Sequence, residues 1–334
     1  MDIDDVAYHK KNAIKVFFAL NALNSPHTSA VTVEVLGHHL HFSQDPNSKH
    51  LGTTVWDASM VFVKFLEKNR RKGRFSPSKL KGKRAVELGA GCGLAGFGMA
   101  LLGCDVVATD QVEVLPLLMR NVERNISRVM QANTDSASIG SIQVAELDWG
   151  NEEHVKAIDP PVDFIIGTDI VYSESLLDPL LRTIFALSGG EQQFWSMCSE
   201  IRSTSVHEQM LRMWNSNFEV TTVPRSKMDS KYQHPSIQLH VMSMKSRSRF
   251  EENLGGSCGT LVNPENHGDC GPGAWKEGSE VEGSADAGLE LGLQLEDEDD
   301  DGDDDDNGER KLDDWESRRC GSAAARLLRD VKAS

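Results

Sequence analysis

Arg84-Ala85-Val86-Glu87-Leu88-Gly89-Ala90-Gly91-Cys92-Gly93-Leu94 (84–94) decides the fold. Its first five residues, "RAVEL" (84–88), read as a short buried β-strand, and the apolar stretch at 94–102 reads as a helix. Between them Gly89, Gly91 and Gly93 let the chain turn sharply and let backbone approach a ligand where a Cβ would intrude. Outward from this turn the same alternation repeats. Short apolar, β-branched or aromatic runs stand at "DVVATD" (105–110), "SIQVAEL" (141–147), "VDFIIGTD" (162–169) and "QQFWSMCS" (192–199). Helical stretches separate them at 112–130, 151–158 and 174–187, which predicts a parallel α/β sheet.

After the fifth strand a helix is expected at 204–214, then strands "FEVTTV" (218–223) and "SIQLHVMSM" (236–244) with only polar residues between them. These two pair most simply as a terminal antiparallel hairpin. Upstream, "VTVEVLGHHLHF" (31–42) alternates around Leu36-Gly37 and predicts a hairpin. A helix with apolar positions Val55, Met60, Val61, Val63, Phe65 and Leu66 follows, with Thr53 or Thr54 available to cap it. The expected organisation is an N-terminal extension over 1–30 with a helical pattern at 3–23, a catalytic domain over 31–246, a disordered acidic tail over 247–310, and a short helix within 311–334. That last helix carries Trp315 and is expected either to stand idle or to dock.

The formal charge of −16 belongs to the tail: residues 251–334 hold 24 Asp and Glu against 8 Lys and Arg, so residues 1–250 are neutral. A neutral domain argues against nucleic acid as the partner, since phosphate binding needs a net basic face. Nine basic residues between Lys68 and Arg84 are expected to form an exposed connecting loop, with a nuclear-import signal or a contact for an acidic partner as the second reading. The acidic run at 296–307 reads first as a solubilising segment, and the alternating leucines at 289–295 resemble a plant repression motif. The six cysteines lack ligand spacing, and no His/Cys pattern predicts a metal site. Reduced thiols, no basic leader after Met1 and no apolar run near the ~18–20 residues of a membrane span predict a cytoplasmic or also nuclear protein. A monomer is expected.

Chemistry concentrates at the strand ends. Gly91-x-Gly93-x-x-Gly96 formally matches the dinucleotide pattern, but there the strand should run straight into the first glycine. Here the charged Glu87 closes the strand and Leu-Gly-Ala follows, which suits S-adenosylmethionine better because that cofactor has no pyrophosphate to cradle. Asp110 ends the second strand, where it can accept ribose hydroxyls or cap the next helix. Trp149, just past the third strand, reads as core or as a platform for adenine. The fourth strand ends in Gly167-Thr168-Asp169-Ile170-Val171-Tyr172, which brings a carboxylate and a phenol to one edge. Helix capping by Asp169 is the plainer alternative.

Seven strands with the last inserted antiparallel is the arrangement of the Rossmann-like class I methyltransferases. Residues 31–245 resemble the seven-β-strand protein-lysine methyltransferases of non-histone proteins, especially those acting on heat-shock chaperones and on the valosin-containing AAA-ATPase, the latter nearest in pattern. The resemblance rests on "LGTTVWDASMVFVKFLE" (51–67), "VELGAGCGLAGFGMALLG" (86–103), "VVATD" (106–110), "ELDWG" (146–150) and "DFIIGTDIVYSESLLDPLLRTI" (163–184). It implies S-adenosylmethionine as cofactor, with Trp56 of "VWD" over it, Glu87, Gly89, Ala90 and Gly91 at the glycine loop, Asp110 at the ribose, Trp149 at the adenine and Thr168, in place of the usual Ala, completing the pocket. Asp169 and Tyr172 match the family's catalytic Asp-x-x-Tyr; Ser199-Glu200-Ile201-Arg202 lacks the Tyr that opens the corresponding motif in relatives. The expected mechanism has Asp169 hydrogen-bonding the incoming lysine ammonium while Tyr172 walls its channel and water removes the proton. A methyltransferase for another substrate class and a non-catalytic scaffold are the alternatives. A basic groove or an Asn/Asp-Pro-Pro-Tyr motif would favour the first, and a damaged glycine loop the second.

Overall fold

The computed structural model describes residues 26–132, 139–188, 194–245, 313–316, 318, 319 and 322. The helix expected at 3–23, the acidic tail at 247–310 and the leucine motif at 289–295 lie outside these residues.

A two-stranded hairpin, β1 (Ala30–Val35) and β2 (His38–Ser43), turns on Leu36 and Gly37, both at positive φ, as a two-residue hairpin requires. The main sheet holds β3 (Arg84–Leu88), β4 (Asp105–Asp110), β5 (Ile142–Glu146), β6 (Phe164–Thr168), β7 (Phe194–Glu200), β8 (Phe218–Thr222) and β9 (Ile237–Met244). Their order is β5-β4-β3-β6-β7-β9-β8. β9 inserts antiparallel between β7 and β8, and every other pairing in the sheet is parallel. The terminal hairpin and the seven-stranded count agree with the sequence reading.

Helices cover both faces, as a parallel sheet requires: α1 (Asp57–Asn69), α2 (Leu94–Leu101), α3 (Leu115–Ala132), α4 (Glu152–Ala157), α5 (Leu177–Leu187) and α6 (Thr204–Asn217). One core layer joins the hairpin, α1, α2 and α3 to the sheet, and the other gathers α5 and α6 around Trp195 and Trp214. In α3, Leu118, Asn121, Val122, Asn125 and Val129 recur at helical spacing on the buried side. The two asparagines do what apolar residues could not. Their amides pair the open edge of β2: Asn125 accepts from His41 N at 2.7 Å and donates to His41 O at 3.0 Å, and Asn121 accepts from Ser43 N at 2.8 Å and donates to Ser43 O at 3.1 Å. Asn125→Ala strands two buried backbone groups and is expected to cost about 2–4 kcal/mol, read by denaturant unfolding; a cost below about 0.5 kcal/mol would show that water replaces the amide.

One expectation is corrected. Neither Thr53 nor Thr54 caps α1, because Thr53 lies in a 3-10 turn and gives its hydroxyl to Asp45 O and His50 O, leaving Trp56 as the N-cap. The basic stretch is largely exposed, as expected of a connector, and four of its residues are anchored: Lys68 donates to Met228 O, Arg74 stacks on Phe194, Lys83 pairs with Asp163, and Arg84 donates to Ile158 O. Among the described residues no helix is long and apolar enough to cross a membrane.

Candidate active site

Strand order reverses between β3 and β6, and at their carboxyl ends an open α/β sheet forms its ligand crevice. There a cleft of about 810 Å³ opens, lined by Trp56, Gly89, Ala90, Gly91, Asp110, Trp149, Thr168, Asp169 and Tyr172 among others. All the expected site residues but one therefore meet in a single cavity.

The exception is Glu87, which does not line the cleft. It is fully buried beneath α2, where its Oε2 accepts from Gly96 N at 2.9 Å. The expected cofactor contact is thus corrected to a buttress: a carboxylate one residue before the end of β3 ties the glycine loop's helix down, and a Cβ on Gly96 would stand 2.4 Å from that carboxylate oxygen. Burial, with Asp110 nearby, pushes the Glu87 carboxyl up to about 8. The native state then holds a proton that the unfolded chain releases near 4.5, so stability falls as pH rises from about 4.5 to 8. Glu87→Gln is expected to flatten this slope, the variant's melting temperature falling less than the wild type's between about pH 5 and 8. Parallel slopes would show that Glu87 is already ionised.

The glycine loop leaves β3 with Gly89 and Gly91 both at positive φ. Close packing makes the glycines obligatory: a Cβ on Gly89 would meet Ile170 at 2.7 Å and one on Gly91 would meet the Gly52 carbonyl oxygen at 2.9 Å. Asp110 does not cap α3, which begins at Leu115. Its Oδ2 accepts from Gly91 N at 2.7 Å and its Oδ1 from Gln111 N at 2.8 Å, so the β4 carboxylate is locked against the loop. Burial raises its pKa, opposed by those two N–H groups. Each oxygen keeps acceptor capacity for a diol.

Opposite lies the acceptor wall. Asp169 sits at φ +63°, a left-handed conformation in which Asp is among the better tolerated residues. Its side chain is almost fully buried: Oδ1 accepts from Glu200 N at 3.2 Å, and Oδ2 is ion-paired with Arg202. Burial raises the Asp169 pKa, and Arg202 opposes the rise. Each carboxylate oxygen thus already has one protein partner and keeps acceptor capacity at the cleft, where the expected ammonium contact would be made. Arg202 also lies over the Trp56 ring, 5.0 Å from its centroid, linking the two walls. Tyr172 is 43% exposed at the cleft, its phenol pKa raised by burial and by Asp110. Arg202 and Glu200 were not among the expected site residues, and their only sequence signal was the string Ser199-Glu200-Ile201-Arg202.

S-adenosylmethionine fits these residues: a cradle that no Cβ could enter at Gly89 and Gly91, a locked carboxylate at Asp110 for ribose, and indoles at Trp149 and Trp56. Fold and site together define an S-adenosylmethionine-dependent methyltransferase. A family model described as lysine methyltransferase matches residues 35–216, and the chain belongs to that family. The protein is similar to "Protein N-lysine methyltransferase METTL21A" of Danio rerio (37% identical over 172 residues, 52% of this chain and 72% of that one) and of Mus musculus (30% over 228 residues, 68% and 92%). It is also similar to "EEF1A lysine methyltransferase 3" of Mus musculus (30% over 177 residues, 53% and 68%).

Proposed function

We propose that the cleft methylates a lysine of a folded non-histone protein, a chaperone or an AAA-ATPase, in the cytoplasm or nucleus. The observation that carries this reading is the acceptor wall, where Asp169, Glu200 and Tyr172 face the aromatic Trp56 in one cleft. Carboxylates and an aromatic face suit a cationic side chain. The neutral 1–250 region speaks against a nucleic-acid substrate, and the motif set resembles enzymes acting on those two protein classes. Three described cysteines, Cys92, Cys104 and Cys198, are buried and unpaired, which goes with a reducing compartment.

S-adenosylmethionine, when bound, supplies a methyl group on a positively charged sulfur. The protein's part is to bind, align and dry. Gly89, Ala90, Gly91 and Asp110 hold the donor, and Trp149 and Trp56 keep water from it. A lysine near its reference pKa of about 10.4 is protonated in water, and only the neutral amine has a lone pair to offer. Partial desolvation between Trp56 and Tyr172 favours that neutral form, and water takes the proton. Asp169 acts by fixing Arg202 and the Glu200 backbone, so that the wall opposite the donor keeps its shape for in-line attack.

Purified heat-shock chaperone, valosin-containing AAA-ATPase and elongation factor 1A, each incubated with the full chain and labelled S-adenosylmethionine, test the substrate class. Label in one of the first two, mapped to a single lysine by mass spectrometry, is the expected result. Label confined to elongation factor 1A would move the protein to translation, and label in none would overturn the proposed class.

A further inference from the structure

The chain leaves the sheet at Lys245 and is described again from Asp313, where a helical segment begins. Asp313 Oδ1 caps it, accepting from Trp315 N at 2.7 Å and Glu316 N at 2.8 Å. Trp315 is buried beside Tyr232, ring centroids 5.2 Å apart, with its indole N–H donating to Gln233 O at 3.3 Å. The segment therefore docks, one of the two outcomes its sequence allowed.

What it docks onto is informative. Arg318, its side chain 2% exposed, donates from Nε to Asp57 Oδ1 at 2.7 Å and from Nη2 to the Val55 carbonyl. Ser322 Oγ donates to the same Asp57 oxygen at 2.9 Å. Arg319 bonds Asp57 Oδ2 through Nη1 and Glu200 Oε1 through Nη2, the latter at 2.7 Å. Val55 and Asp57 bracket Trp56, which lines the cleft and carries Arg202 over its ring. Glu200 carries the backbone N–H that holds Asp169. Arg318 thus grips the Trp56 wall alone while Arg319 ties that wall to the Glu200 wall, and no described residue of their segment lines the cleft itself.

Bulk packing does not call for this arrangement. Burying a guanidinium is expensive unless its partners are well placed, and a merely adhesive helix would dock through apolar residues. Asp57 is equally committed: among the described residues, every hydrogen bond drawn to its carboxylate comes from Arg318, Arg319 or Ser322. Were the segment withdrawn, α1 would begin with a buried unpaired carboxylate immediately after Trp56.

We infer that the C-terminal segment is a clasp that sets the active site in cis, with Arg318 positioning the Trp56 wall for cofactor binding and Arg319 positioning the Glu200–Asp169 wall for methyl transfer. Both are positioning residues, because neither reaches the cleft. Only Arg319 reaches the Glu200 wall, and Asp57 keeps Arg318 when Arg319 is lost, so the two losses have different signatures.

The test uses the full chain. Arg318→Lys keeps the buried charge, so the protein folds, but loses the fork that spans Asp57 and Val55. It is expected to weaken S-adenosylmethionine binding about 10-fold by calorimetry, with the rate at saturating cofactor changed less than about threefold. Arg319→Gln leaves Asp57 paired with Arg318 and removes the Arg319 guanidinium from Glu200, which keeps Ser236 and Arg202. It is expected to leave cofactor affinity within about twofold while the saturated rate of label transfer to lysate protein falls about 10-fold. Melting curves of both variants, with and without cofactor, separate this split from general loosening. Affinity and rate falling together in both variants, or neither changing, would overturn the clasp, as would a rise in rate, which would make the segment inhibitory. The rate arm rests on the proposed protein acceptor, whereas the binding arm does not. Absence of label from the wild type together with weaker binding by Arg318→Lys would count against the acceptor and for the clasp.

Discussion

Asp169→Asn lowers the saturated rate of methyl transfer by about 100-fold or more while S-adenosylmethionine binds within about threefold of its wild-type affinity. Asparagine keeps the size of the side chain and an oxygen for Glu200 N. Its amide nitrogen, however, turns a donor toward Arg202, which has lost its anionic partner. Removing one member of a buried pair commonly costs about 3–5 kcal/mol, and here that cost falls on the wall that must stand opposite the donor. Arg202 also lies over the Trp56 ring, so its release loosens that wall as well. Calorimetric cofactor binding and initial rates at saturating cofactor separate the two effects. Equal losses in both would show that Asp169 serves the fold as a whole, and an unchanged rate would remove it from the reaction.

Gly91→Ala abolishes measurable cofactor binding. The added Cβ would stand 2.9 Å from the Gly52 carbonyl oxygen, and backbone cannot rotate aside as a side chain can. Gly91 also sits at φ +57° and donates its N–H to Asp110. Relief of the clash therefore moves either the loop over the donor or the carboxylate meant for its ribose. A loss of at least about 30-fold in affinity is expected, and with it the upward shift in melting temperature that cofactor gives the wild type. Gly37→Ala is the control. That residue has φ +83° but nothing within 4 Å of the added Cβ, so it carries the left-handed strain of about 1 kcal/mol without the clash, and cofactor binding survives. Equal behaviour of the two variants would mean that strain alone, and not the approach of Gly52, matters at the loop.

Much of this site is legible in the sequence because parallel α/β sheets place their chemistry at strand ends. Gly89, Asp110, Trp149 and Asp169 each follow or close a short apolar run, and the topology gathers such positions at one edge whatever lies between them. Glu87 marks the limit of that reading. Its place in the chain identifies the end of β3, but only the packing of α2 decides that its carboxylate goes under the loop and meets Gly96 N instead of entering the cleft. Asp169 shows a second limit: Asp-x-x-Tyr announces an edge carboxylate, while its engagement by Arg202 depends on how β7 ends against β6. Arg318 and Arg319 carried no signal, because two arginines after an acidic run look like any solvated pair. Their partners Asp57 and Glu200 lie 119 to 262 residues away in the chain. Asp57 was visible only as the last letter of the "VWD" motif.

The most direct measurement is the chemical identity of the methylated atom. The full chain is incubated with methyl-labelled S-adenosylmethionine and cell lysate, the protein fraction is hydrolysed, and its amino acids are separated alongside Asp169→Asn run in parallel. Label eluting as Nε-methylated lysine, and lost in the variant, is the expected result. Label in RNA, in small molecules or in methylated arginine or histidine, or lysine label undiminished in Asp169→Asn, would contradict lysine methyl transfer by this cleft.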